Sequence, residues 1–165
     1  VYWLARMIEG GEDLKFIARR LLILAAEDIG LANPNALLIA NSCFSAVNVI
    51  GYPESRIILS EASIYLANSP KSNSAYEAIG NAQELVRKTG NLAVPLHLRN
   101  SPTKLMKELG YGKDYKYSHS FDENFTEQEY FPDKVKGTKL YTPQDNQHEK
   151  RSEELMKKRW KDKYK

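Results

Sequence analysis

Between His97 and His119 the chain mixes Arg99, Lys104, Lys107, Lys113 and Lys116 with Tyr111, Tyr115 and Tyr117. Ammonium and guanidinium groups hold phosphates, and aromatic rings stack on unpaired bases, so this mixture has the chemistry of a single-stranded nucleic-acid surface. Its candidate contacts are Arg99, Lys104, Lys107, Tyr111, Lys113 and Lys116. Glu108 and Asp114 dilute the charge. Tyrosines in a loop-rich segment also cover helical cores with their hydroxyls satisfied, and of the two readings this structural one is favoured.

Other signatures of chemistry break down at named positions. Gly110-Tyr111-Gly112-Lys113 ends like a phosphate-binding loop, but that motif needs a glycine where Lys107 stands and a Ser or Thr where Asp114 stands. It reads as a glycine-rich helix stop. His97, His119 and His148 lie too far apart for the short spacings that put two ligands on one metal. No serine occupies a nucleophile elbow, and Cys43, inside an apolar helix, is expected to carry a raised thiol pKa and to serve packing. Glu54, Glu61, Glu77 and Glu84 read as solvated or paired helical carboxylates. No catalytic, cofactor-binding or metal-ligating residue is therefore assigned.

The elements that must position these residues follow from composition and periodicity. With 42% hydrophobic and 27% charged residues over 165 positions, the composition is that of one globular domain. No stretch approaches the roughly 20 apolar residues of a membrane span, and the start lacks the pattern of a signal peptide. A single cysteine excludes an internal disulfide, so a reducing, cytoplasmic home without membrane partners is expected. From Asp145 to Lys165 eight basic residues face five acidic ones, so the tail alone carries the whole formal charge of +3. Val1 stands where an initiator methionine would, and residues 2–8 read as a helix with no cap before it, which leads to the expectation of a piece cut from a longer chain.

From Glu12, the spacing of Leu14, Ile17, Ala18, Leu21, Leu22 and Ala25 predicts an amphipathic helix stopped by Gly30. Pro34 opens a second one through Ile50 that is apolar nearly all round, with the small polar Asn41, Ser45 and Asn48 on one stripe. Such a helix lies centrally or at an interface, and Leu37, Asn41, Phe44, Ser45 and Asn48 are the candidate subunit contacts. Pro53 to Pro70 frames a third helix with Ile57, Ile58, Glu61 or Ala62, Ile64 and Tyr65 turned inward. Residues 74–88 form a fourth, burying Tyr76, Ile79, Leu85 and Val86 and capped by Gly90. Ser101 and Pro102 start a short helix through Leu109. Tyr115 and Tyr117 alternate like a strand, Gly137 between Val135 and Leu140 marks a small hairpin, and residues 149–164 form a charged helix whose adhesive stripe is Leu155, Met156, Arg159 and Trp160. The fold class is mainly α, a compact helical array with a small irregular or β-hairpin segment near the C-terminus.

Several strings in order resemble a known family: Tyr2-Trp3-Leu4-Ala5-Arg6-Met7, Phe16-Ile17-Ala18-Arg19-Arg20-Leu21, Glu27-Asp28-Ile29-Gly30-Leu31-Ala32, Pro70-Lys71-Ser72-Asn73, Pro95-Leu96-His97-Leu98-Arg99-Asn100, and Pro102-Thr103-Lys104-Leu105-Met106-Lys107 leading to Gly110-Tyr111-Gly112-Lys113. Over nearly its whole length the chain is similar to the C-terminal region of the replication-associated recombination protein A family, AAA+ ATPases related to the Werner-helicase-interacting ATPase. The resemblance implies a clamp-loader-collar-like helical domain in which residues 1–30 end the AAA+ helical lid and residues 31–165 form an oligomerisation domain assembling a homotetramer. It further implies a parent that uses ATP and Mg, acts in replication, recombination and repair at stalled forks, binds DNA and single-stranded DNA-binding protein, and is cytoplasmic and nucleoid-associated. The family's nucleotide-handling residues belong upstream, so none is carried to a position here. Asn33 and Phe131 are small departures from the family's usual residues.

Overall fold

The computed structural model describes residues 1–161 and residue 163. Seven α-helices are present among them: α1 (Tyr2–Glu9), α2 (Leu14–Leu24), α3 (Asn35–Ile50), α4 (Ser55–Ala67), α5 (Ser74–Thr89), α6 (Lys104–Glu108) and α7 (Gln147–Trp160). Asp13 starts α2 by accepting the Lys15 amide at 3.0 Å, which satisfies one of the orphan donors of a helix start. α2 then widens into a π turn, Ala25–Ile29, and leaves it through Gly30. Gly90 ends α5 at positive φ, as the sequence predicts, and Gly51 ends α3 at positive φ too.

The chain divides into two compact units, Val1–Gly80 with Tyr141–Ser152, and Asn81–Leu140 with the residues from Glu153 onward. In the first unit, Leu4, Ile17, Ala18, Cys43, Val47, Leu59 and Ala62 close one apolar cluster. Ala25, Ile29, Ala36, Ala40 and Leu66 close a second. Residues before position 30 thus share a core with α3 and α4. The buried edge of α3 is Ala36, Ala40, Cys43 and Val47, a run of small residues at helical spacing that lets α2 and α4 come close. Burial, followed by the nearby Glu61 charge, pushes the Cys43 thiol up, as expected for a packing cysteine.

Three expectations need correction. α4 buries Ser55, Leu59, Ala62 and Leu66; of the expected inward residues Ala62 is buried, and Ile58 and Tyr65 are half-buried against the core, but Ile57, Ile64 and the alternative Glu61 are exposed. An apolar residue on every side of α4 admits two inward frames, and the one that meets the small edge of α3 wins. On α5, Tyr76, Ile79 and Val86 are exposed and only Leu85 of the expected four is half-buried. The expected hairpin and the strand at Tyr115 and Tyr117 do not form, and no strand occurs among the described residues. Gly137 does turn the chain at φ +75°, but a 3-10 turn, Asp133–Val135, lies on one side and Pro132 and Pro143 flank the segment without amide hydrogens for a ladder. Lys116, between the two tyrosines, gives its amide to the Gln128 side chain at 2.8 Å instead of to a neighbouring strand.

Two boundaries also move. α6 is capped by Thr103, whose hydroxyl accepts the Met106 amide at 3.3 Å, two residues beyond the expected Ser101. α7 begins at Gln147 and ends at Trp160, and Tyr164, the expected end of that helix, lies outside the described residues.

Candidate functional site

On α3, Asn41, Ser45 and Asn48 are exposed, and Leu37 is 47% exposed. Their spacing sets them on one side of the helix, turned away from Ala36, Ala40, Cys43 and Val47. Phe44, at the border of this stripe, is half-buried and packs against the first core cluster, while the Asn48 amide donates to the Phe44 carbonyl at 2.8 Å. Leu38 and Val49 extend the open apolar surface at 65% and 85% exposure. Large aliphatics left open together on one helix mark a surface for contact.

The basic and aromatic residues of positions 97–119 all lie in the second unit, and several of them are engaged in holding irregular backbone. The Arg99 guanidinium donates from Nε to the Val94 carbonyl at 2.7 Å, donates from Nη1 to the Tyr111 hydroxyl at 3.1 Å, and lies 5.0 Å from the centre of that ring. His97 Nε2 bonds the Glu129 carbonyl at 2.7 Å. The Lys116 ammonium donates to the Glu127 carbonyl at 3.4 Å. Chain that lacks a regular hydrogen-bond ladder must satisfy its carbonyls by other means, and here side-chain cations do so. Lys104, Lys107 and Lys113 remain exposed, with Lys104 4.0 Å from Glu108. Lys113 and Lys116 line one concavity of about 480 Å³ together with His97, Asp114 and Gln128. At its edge, burial pushes the Glu129 carboxyl up, but the Phe131 amide, Lys163 and the Tyr130 amide outweigh it and hold the group below the usual range.

A buried carboxylate in the first unit escaped sequence reasoning. Glu149 is 1% exposed. Its Oε1 accepts from the Tyr141 hydroxyl at 2.8 Å and from the Ser74 hydroxyl, and its Oε2 accepts from the Asn146 amide at 2.6 Å. Burial pushes this carboxyl up, but donation from Ser72, Ser74, Asn146 and Tyr141 outweighs burial and holds it at about 2. Burial and then the adjacent Glu149 push the Tyr141 phenol up to about 12. Asn146 Oδ1 accepts the Glu149 amide at 3.0 Å. The readable signal was Asn146-x-x-Glu149, the pattern of a helix N-terminus in which two polar side chains cap each other's ends. Among the described residues no group of three His, Cys, Asp or Glu could hold a metal, and no helix is long and apolar enough to cross a membrane.

Residues 1–160 match the family model described as MgsA AAA+ ATPase C terminal. The chain belongs to this family. Replication-associated recombination protein A of Coxiella burnetii is 42% identical over 87% of the chain, and the Bacillus subtilis protein of the same name is 46% identical over 87%. ATPase WRNIP1 of Dictyostelium discoideum is 42% identical over 85%. The chain spans about a third of the length of the two bacterial relatives and 16% of the Dictyostelium protein. It is thus the C-terminal domain of an AAA+ ATPase family, several of whose curated bacterial members are named for replication-associated recombination. Within this MgsA domain the matched length takes in both compact units, the α3 surface and the Glu149 cluster alike.

Proposed function

We propose that this domain is an assembly module: its α3 face clasps other copies and so holds several AAA+ ATPase portions together, as a homotetramer, around DNA at stalled replication forks. In this reading ATP and Mg are handled by the AAA+ portion of the parent protein, for which residues 1–30 finish the helical lid, and the domain contributes geometry to catalysis done elsewhere. DNA and single-stranded DNA-binding protein are the parent's partners, and the cytoplasm, at the nucleoid, is its place of work. The observation that carries the reading is the exposure of Leu37, Leu38 and Val49 on the helix whose opposite edge fills the core. Water contact with that much aliphatic surface costs about 25 cal/mol per Å², which burial between copies recovers. Sedimentation equilibrium of the 165-residue chain is expected to show assemblies that Leu37→Glu breaks into smaller species; a lone 18.8 kDa species for the wild type at micromolar concentration removes the reading.

A second reading, single-stranded nucleic-acid binding through the segment 97–119, keeps support from the exposure of Lys104, Lys107 and Lys113. The engagement of Arg99 and Tyr111 with each other narrows the surface to those three ammonium groups, with Lys116 at the concavity beside them. Titration of labelled single-stranded DNA at low and high salt tests it. Binding that weakens with salt and disappears when Lys104, Lys107 and Lys113 are changed to glutamate supports contact, and no binding at low salt excludes it.

A further inference from the structure

Of the sixteen residues of α5, Ser74 alone is buried. Ala78, Ala82, Leu85 and Thr89 are half-buried along one side. On another side Tyr76, Ile79 and Val86 stand 56%, 57% and 61% exposed, with exposed Gln83 in line with them. A helix of this length is marginal in water unless an apolar stripe is covered, and this one carries an open stripe beside its half-buried one.

The positions 76, 79, 83 and 86 follow the three-and-four alternation of a two-helix seam, in which each inward residue inserts between residues of the facing helix. That spacing is the same read from either end, with its centre at Asn81. A second α5 laid antiparallel across a two-fold axis therefore sets Tyr76 of each copy against Val86 of the other, and Ile79 against Gln83, which is the self-matching that a symmetric dimer contact requires. Charge agrees with this orientation: the first turn carries Glu77 and the last carries Arg87 and Lys88, so antiparallel copies bring an acidic end to a basic end.

Gly80 supplies an independent observation. It lies inside the helix at an ordinary negative φ, and a β-carbon there would meet nothing within 4 Å. No contact among the described residues asks for glycine at a position where it weakens a helix. It sits on the flank of the seam beside Tyr76 and Gln83, where its missing side chain leaves room for residues of a second helix.

We propose that α5 pairs with α5 of a second copy, antiparallel, along Tyr76, Ile79, Gln83 and Val86. The pairing rests on the self-association reading above and gives it a second contact surface, distinct from that on α3; a closed four-copy assembly of two-fold symmetry needs two such surfaces. The test is sedimentation equilibrium of the full chain carrying Tyr76→Lys or Val86→Glu, with circular dichroism to follow helicity, which substitution at exposed positions leaves intact.

Each variant alone is expected to weaken association by about ten-fold or more. An equimolar mixture of the two is expected to regain assembly, because Lys at 76 in one chain then faces Glu at 86 in the other. Gly80→Ala, with room for its methyl inside the protomer, is expected to weaken association while keeping helicity. Association unchanged in the two charge variants, or lost in both and not regained on mixing, overturns the pairing. A wild-type assembly dissolved by Leu37→Glu but untouched by the α5 changes overturns it while leaving the self-association reading in place. A monomeric wild type removes the reading itself.

Discussion

At Gly30 the backbone leaves the π turn of α2 at φ +46°, and a β-carbon would sit 2.7 Å from the Ser72 carbonyl oxygen. The same two strands of chain are tied by the Ser72 amide donating to the Asp28 carbonyl at 2.8 Å. Gly30→Ala therefore meets both conformational strain and a backbone contact that cannot move away, and is expected to lower stability by about 1 to 3 kcal/mol in urea denaturation. Glu149 sets a pH dependence. Its folded carboxyl sits at about 2 against an ordinary 4.5, so the folded state holds the charged form more strongly than the unfolded chain does. The stabilisation, about 3 kcal/mol, is present above pH 4.5 and is lost as pH falls from there toward 2. Urea midpoints measured across that window are expected to fall more steeply for the wild type than for Glu149→Gln, in which the group no longer titrates. Gly30 was legible in the sequence as a helix stop, because a glycine after an apolar periodic run has that use. Its contact with Ser72 was not, since nothing in a linear pattern says which distant carbonyl will lie against it. The same holds for Glu149, whose donors at Ser72 and Ser74 come from a segment distant in sequence.

At the level of elements, helix positions and the inward face of α2 were readable, and the faces of α4 and α5 were not. The start and stops at Pro34, Gly30 and Gly90 rest on local backbone chemistry that the chain carries wherever it goes. The inward face of α4 depended on the small edge of α3, and only packing reveals that Ala36, Ala40 and Cys43 are the residues approached. This gives Ala40, which is fully buried, a defined role as a spacer. Ala40→Leu adds volume where a neighbouring helix already touches, and is expected to cost about 1 to 3 kcal/mol, read as a lowered urea midpoint with unchanged slope. The second unit was the harder half to read. Its hydrogen bonds run from side chains such as Arg99, His97 and Lys116 to scattered carbonyls, and such pairings have no period in sequence. The same residues that looked like a nucleic-acid surface are partly explained by this stitching, which sequence chemistry weighed as the competing use of tyrosine alone.

For the whole molecule, the question is how a chain folds stably with so many large apolar side chains in water. The buried core of the first unit combines Leu4, Ile17, Ile29, Leu59 and Leu66 with the small residues Ala18, Ala25, Ala36, Ala40 and Ala62. A further set of large apolar residues, Leu37, Leu38, Val49, Tyr76, Ile79 and Val86, lies outside it. Stability supplied by association differs from stability supplied by a core in one measurable respect: it follows mass action, because a partner that binds the folded form and not the unfolded chain raises the melting temperature as its concentration rises. The wild-type Tm is therefore expected to climb with protein concentration across a hundred-fold dilution series, and the Tm of Leu37→Glu, which loses the α3 contact and keeps the α5 pairing, to climb less steeply in the same series. If both curves are flat, the protomer is stable by its core alone, and the open aliphatic surface of α3 has some use other than self-contact. If the wild-type curve rises and Leu37→Glu rises in parallel, self-contact persists but its centre lies away from Leu37.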